Sequence, residues 1–550
     1  MDEYHIRQKI KAHIESQIDE FLNSYFCMYK DNIGFMLFYH LLAVEKGFID
    51  SYPNQGNFEV YRSAVSWFIN RNITELKNIH LEFVFNSDDF NYYYNNLLPK
   101  IYKAYSDFKF LKEIMDLHSF VKSRLTEVNK GVYKLTSSTV WGGFIKEYLY
   151  YNGIHDEETM SHERELKRRP VLYIAEKINN SKEKKFNGEI KRINRLMIDI
   201  NRDLLSLCYQ NTKLDMDKIE GFKSEAINRD KNLLEFIASL YYFSQIQLEI
   251  FKLSLLEKPN YNSLLISFEK EYLIHKINKI TNLNINYIEK CISYFTFDGR
   301  GTLLEFPLIE YNKKIYFVPS SFLLSDLQFT LTNGHYFKDV KVIRRDESVS
   351  KTIISEIKNS VKDFTNIVVV DEKYYEFIDE RGEKENSDID VALYDRNSNS
   401  LLVVECKWKD NHYISVLEEN YVKILDTLNK AYKQLNKHQV FLEKNLDNVN
   451  MILGFKEYEK LDEYPRIFYI TVDKRNQLYI DNKYLVPLYG LLTLFNIYNK
   501  SQQLELELVI DELLKQNTKV EYIYIEESQK EICIDDNITV YTDGLNLNYL

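Results

Sequence analysis

ENSDIDVALYDRNSNSLLVVECKWKD, residues 385–410, is the stretch around which the chain is most readily organised. Ile389, Val391 and Leu393 alternate with Asp390 and Ala392, the period of a strand with one apolar face. Leu401–Val404 is an unbroken apolar run, which suits a strand buried on both faces. Between them DRNSNS, residues 395–400, is turn chemistry, so the two strands are expected to pair as a hairpin. Glu405, Cys406 and Lys407 close the apolar run. Residues i and i+2 of a strand share a face, so Glu405 and Lys407 lie side by side. The hairpin returns Asp390, fifteen residues earlier, to their neighbourhood.

Two convergent carboxylates suit Mg²⁺, a hard cation that takes oxygen ligands and keeps several waters. A lysine beside them can orient an attacking water or offset charge developing on a phosphate. Charges at the end of a buried strand are costly unless paired or metal-bound. Lys407 can equally be a structural partner that bridges Glu405 or Asp390 at a sheet edge. On the same alternation Asp388 shares a face with Asp390 and is a rival ligand. Cys406 is expected to point the other way, into the core.

Working outward, residues from about Ser348 to Tyr498 read as α-β-β-β-α-β. A helix is expected over about Ser350–Asp363, with strands near Ile367–Val370, Ile389–Tyr394 and Leu401–Lys407. A long helix over about Ser415–Leu442 and a strand at Ile467–Asp473 follow.

This arrangement resembles the PD-(D/E)XK nuclease superfamily, the restriction-endonuclease-like fold. Its signature is an acid on one strand, a variable gap, an apolar strand and then (D/E)xK. Here these are Asp390 and Glu405-Cys406-Lys407, with Ile389 in place of the preceding proline. Family members often carry a Glu on the helix before the sheet, and Glu356 fits. Many also place a polar residue, often Gln, on the helix after the strand, and Gln434 fits, with Lys430 and Lys433 nearby. The resemblance covers roughly residues 348–475. It implies that Asp390 and Glu405 ligate Mg²⁺ or Mn²⁺ with the Cys406 carbonyl, and that Glu356 binds metal directly or through water. It implies that Lys407 positions water or stabilises charge, and that Gln434 supports Lys407 or contacts DNA. Trp408 and Lys409 either contact substrate or pack at the strand end. The reaction implied is hydrolysis of a phosphodiester, usually in DNA, by an endonuclease.

The expected architecture is multidomain α+β. Residues 1–290 form a largely helical recognition or regulatory half, 291–347 a β-rich segment, 348–498 a nuclease core with a mixed sheet flanked by helices, and 499–550 an α-β tail. Residues 298–299 (DG) and 312–313 (NK) are turn signals of the middle segment, with Pro307 and Pro319 at strand edges. The tail reads as one helix, then VEYIYIEE and ITVYTD as strands, and its acidity suits packing or a partner rather than phosphate. From Glu163 to Arg195 there are eleven Lys or Arg against five Asp or Glu. Such a run is either a phosphate-contacting surface or a solvated helix face.

The net charge of −11 over 550 residues excludes a chain that is basic throughout and argues against tight nonspecific DNA binding. It suits cutting gated by a partner protein, a ligand or homo-oligomerisation. By analogy with the family, a large accessory region on a nuclease core suggests defence against phage or plasmids. A repair or recombination nuclease, or a non-catalytic nucleic-acid-binding scaffold, are the alternatives. The five cysteines are widely spread and lack zinc-ligand spacing. No Walker, HExxH or GxSxG pattern occurs, and the histidines, His438 among them, read as surface or satisfied core residues. The charged start MDEYHIRQKIKAHIE predicts no signal peptide and no stretch predicts a membrane span, so a soluble, cytoplasmic protein is expected.

Overall fold

Isoleucines at 6, 10, 14 and 18, continued by Phe21, Leu22 and Tyr25, give one buried stripe along the helix Glu3–Tyr29. The computed structural model describes residues 3–51, 56–76, 79–111, 124–136, 157–179, 201–217, 231–254, 261–299, 302–303, 306–323, 345–378, 382–407, 419–443, 445–473, 478–480, 483–518, 530–535, 537–542, 547 and 549. The fold is mixed α+β with a helical N-terminal half. The helices Glu3–Tyr29, Tyr39–Ser51, Gly56–Leu76 and Leu98–Phe110 share one core, rich in aromatic side chains. The helices Arg202–Asp217, Lys231–Ser254, Lys270–Thr281 and Ile285–Phe295 share a second.

Strands also occur within this half. Arg124–Asn129 (β1) pairs with Val132–Thr136 (β2), and Ile266–Glu269 (β3) joins the middle segment. There Ile309–Tyr311 (β4) and Lys314–Phe317 (β5) form a hairpin, and β3 flanks β5. Its turn residues Asn312 and Lys313 have φ of 47° and 63°, the left-handed pair a two-residue hairpin turn requires. The 298–299 signal marks a bend rather than a hairpin, with Gly299 at φ 94°.

The C-terminal sheet has six strands: Ile367–Ile378 (β6), Lys384–Asp395 (β7), Ser400–Lys407 (β8), Arg466–Asp473 (β9), Leu478–Ile480 (β10) and Lys483–Pro487 (β11). Their order is β10-β11-β9-β8-β7-β6. β6, β7 and β8 are antiparallel, whereas β9 is parallel to β8 and β11 is parallel to β9. The β7–β8 turn is fixed by Asp395, whose carboxylate accepts from Asn397 N (2.9 Å) and Ser398 Oγ (2.7 Å). β8 is buried on both faces up to Cys406, as a central strand must be. On one face Leu402, Val404 and Cys406 pack with Ile353, Ile357 and Val361 of the helix Arg345–Val361, and with the helices Leu488–Ile497 and Leu506–Thr518. On the other, Leu401 and Val403 pack under the helices Glu419–Leu442 and Leu446–Leu453. The sheet is thus the middle of three layers.

The chain ends meet. After the short hairpin Asn499–Lys500 (β12) and Gln503–Leu504 (β13), Lys530–Asp535 (β14) and Ile538–Thr542 (β15) cross back to the N-terminal half. β15 runs parallel to β2 in a sheet ordered β1-β2-β15-β14. Gly131 (φ 76°) lies against this tail, where a Cβ would collide with the Asn537 carbonyl. Buried Asp107 then accepts from Leu547 N at 2.8 Å and from the Tyr549 hydroxyl. Tail packing is therefore against the N-terminal helices. The VEYIYIEE segment lies outside the described residues. No described helix is long and apolar enough to cross a membrane.

Leu402 is fully buried in the middle of β8. Leu402→Ala is expected to cost roughly 2–5 kcal/mol, read as a lower urea midpoint by circular dichroism. An unchanged midpoint would place Leu402 outside the core.

Candidate active site

The ladder between β6 and β7 skips one pair. Asp371 pairs with Val391 and Lys373 with Ile389, while Glu372 and Asp390 between them drop out. Glu372 takes φ 46°, rare for a non-glycine residue. The alternation changes parity there on both strands. Val391 and Leu393 pack beneath the helix Arg345–Val361, but Ile389 packs on the opposite face with Tyr375 and Ala392. On β6, Val368 and Val370 share that opposite face with Tyr375 and Phe377. The simple alternation expected over residues 389–393 thus fails at Asp390, where a local backbone irregularity outweighs the period of two.

The consequence is that Asp390 reaches along the sheet. The β7–β8 ladder ends at Val391 and Val404. Just past that end, Asp390 Oδ2 accepts a 2.7 Å hydrogen bond from Cys406 N. The N–H and C=O of one strand residue face the same neighbour, so the Cys406 carbonyl is directed to this side too. The Cys406 thiol is buried in the opposite core, where burial raises its pKa well above the usual thiol value.

Glu405 lies on the face with Leu401 and Val403 and is fully buried. Its Oε1 lies 2.6 Å from the Lys407 ammonium, an ion pair at the edge of the buried site. Its Oε2 accepts from His438 Nε2 at 3.1 Å, and His438 Nδ1 lies 2.7 Å from the Tyr375 hydroxyl. Because a carboxylate only accepts, Nε2 carries a proton.

Asp390 keeps some solvent contact, yet protein surrounds most of it. Burial, then the Glu405 charge, push its carboxyl up from 3.8 to about 7 against the opposing pull of Cys406 N–H and Lys407. For Lys407 burial acts downward, but Glu405 and Asp390 outweigh it and hold the ammonium above the ordinary lysine value. Burial holds the Tyr375 phenol up as well, with Glu405 adding to it.

Of the residues expected at the site, the fold brings together Asp390, Glu405, Lys407 and the Cys406 backbone. Asp388 is exposed, and its charge acts on Asp390 only as a lesser influence. Glu356 is half-buried on the helix that packs against the other face of the sheet. Gln434 is half-buried one helical turn before His438, and His438 is the residue of that helix that reaches Glu405. Lys430 and Lys433 are exposed beside it. Trp408 and Lys409 lie outside the described residues, as does the basic run beyond residue 179. Before that point Lys167 and Arg168 are exposed on the helix Glu157–Asn179.

No family model, curated protein or solved structure matches this chain. Among the described residues, no group of three or more His, Cys, Asp or Glu side chains is arranged to hold a metal. Mg²⁺ does not need one, since it is commonly held by one or two carboxylates with water completing the shell. The donor set fits such an ion: two neighbouring carboxyls, one raised in pKa by burial and then by the other's charge, and a buried carboxylate oxygen that faces the Lys407 ammonium.

Sequence reasoning missed Tyr375, His438 and Asp473. Asp473 is buried at the end of β9, in register with Lys407. The available signal was His438 in the stripe Leu428, Ala431, Leu435, Leu442 that buries this helix.

A carboxyl with a raised folded pKa stabilises the fold below its unfolded value and loses that contribution as pH rises through the folded one. In EDTA, Asp390→Asn should therefore melt above wild type at pH 8, with the gap closing by pH 5. Melting curves at the two pH values check this, and a gap that is constant or widens toward pH 5 contradicts the assigned shift.

Proposed function

We propose that the chain is a divalent-cation-dependent nuclease that hydrolyses phosphodiester bonds, with DNA as substrate and a restriction-endonuclease-like core spanning β6–β9 and their helices. The observation that carries the reading is the meeting of Asp390, Glu405 and Lys407 at the frayed end of the β7–β8 ladder. The order helix, three antiparallel strands, helix, parallel strand supports it, being the order that accompanies the motif. Asp390, Glu405 and the Cys406 carbonyl would hold Mg²⁺ or Mn²⁺. Bound there, such an ion supplies a polarised phosphate oxygen and a water of lowered pKa.

The chain's own residues set the rest. Lys407 stays protonated among the carboxylates, so it serves to pair with a phosphate oxygen or to hold the attacking water, not as a base. Burial of Glu405 excludes water from behind the reacting centre and strengthens each charge interaction there. Genome defence is the setting we favour, with cutting gated by a partner protein or by self-association of the helical half.

The test is cleavage of supercoiled plasmid, linear duplex, single-stranded DNA and RNA with Mg²⁺, Mn²⁺ or EDTA. Lys407→Ala is expected to lower cation-dependent cutting by at least about 100-fold. Equal cutting by both proteins would remove Lys407 from the chemistry. Preference for branched or single-stranded DNA would favour repair over defence. Binding without cutting under every condition, including with candidate partners, would favour a nucleic-acid-binding scaffold.

A further inference from the structure

The two oxygens of Glu405 are held in different ways. Oε2 takes the hydrogen bond from His438, which Tyr375 grips from behind. Glu405 and His438 are both 0% exposed and Tyr375 is 2% exposed, so no water competes for these bonds. Tyr375 is itself fixed, its ring stacked on Phe441 with centroids 4.0 Å apart. Phe441 lies on the same helix as His438, three residues on. The chain Phe441, Tyr375, His438 thus prevents Glu405 from turning about its last bond. Oε1 is paired with the Lys407 ammonium at 2.6 Å, a partner on a side chain that is itself partly exposed.

We infer that His438, braced by Tyr375, is a positioning residue that withholds Oε2 and leaves Glu405 a single oxygen for a cation, so that the site selects a small octahedral ion over Ca²⁺. The inference rests on the cation-dependent reading above. Mg²⁺ demands near-octahedral geometry at about 2.0–2.1 Å, and a carboxylate that binds it through both oxygens crowds that shell. Ca²⁺ takes roughly six to eight oxygens and accepts carboxylates through one or both. A Glu405 released from His438 offers both oxygens, and the discrimination against Ca²⁺ weakens.

Calorimetric titration of the full-length chain with Mn²⁺ and, separately, Ca²⁺, without nucleic acid, tests this. Wild type, Asp390→Asn, His438→Ala, His438→Gln and Tyr375→Phe are compared. Wild type should bind Mn²⁺ more tightly than Ca²⁺. His438→Ala should shrink that ratio by about tenfold or more, the scale typical of a residue that orients a metal ligand. His438→Gln, whose amide can donate to Oε2, should restore most of the ratio, and Tyr375→Phe should fall between. A purely structural role would weaken both ions in parallel, so an unchanged ratio in a His438→Ala protein that still melts cooperatively overturns the inference and leaves the cation site standing. If His438→Ala does not fold, Tyr375→Phe decides by the same ratio. Cation binding that Asp390→Asn does not weaken overturns the site itself, and the inference with it.

Discussion

Glu405 places a carboxylate where water does not reach, and a buried charge costs several kcal/mol unless neighbours answer it. The C-terminal sheet answers it from three directions. Lys407 comes from two residues further along the same strand, His438 from the helix above, and Tyr375 from the far strand β6 through His438. A replacement of Glu405 by an apolar residue of like volume would suit this core at least as well. Asp390 adds a second acid beside Glu405, its carboxyl pushed up to about 7 by burial and then by the Glu405 charge.

The irregularity at Glu372 and Asp390 makes that second carboxyl available. On regular strands Asp390 would project into one face of the sheet. With its ladder pair missing, it turns along the sheet to the Cys406 amide. Functional sites are where such local departures from regular backbone are concentrated. The remainder of the chain is organised around closure of its ends. β15 lies against β2, Lys9 pairs with Asp535 at 2.8 Å, and Asp107 holds the last residues. The sheet domain is consequently inserted in sequence between two parts of one N-terminal module.

Much of this was legible in the sequence where pattern is strong. The apolar run Leu401–Val404, the DRNSNS turn and the spacing of Asp390 to Glu405-Cys406-Lys407 placed β7, β8 and the Asp390, Glu405, Lys407 group. The helix expected over about Ser350–Asp363 is Arg345–Val361, and the strand expected at Ile367–Val370 extends to Ile378. That extension carries KYYEF, polar enough to read as loop, and it holds Tyr375. Long-range partners were not legible. Nothing local in His438 separates a core histidine from one that grips a carboxylate, since the difference lies in a residue 33 positions away. Gln434 was the natural choice by residue type, but His438, one turn further along the same face, is the residue that reaches Glu405. The helix with Glu356 follows an apolar stripe that commits it to the opposite face, which a one-dimensional spacing does not reveal. The pairing of β15 with β2 spans most of the chain and has no sequence signature beyond two short alternating segments.

Crystals grown with Mn²⁺ and measured at the manganese absorption edge would test most directly whether Asp390 and Glu405 form a cation site. An anomalous peak in contact with both carboxylates, with Lys407 displaced from Glu405, is the predicted result. A well-ordered map with no peak there, and Lys407 still paired with Glu405, would contradict it and return the group to a structural ion pair.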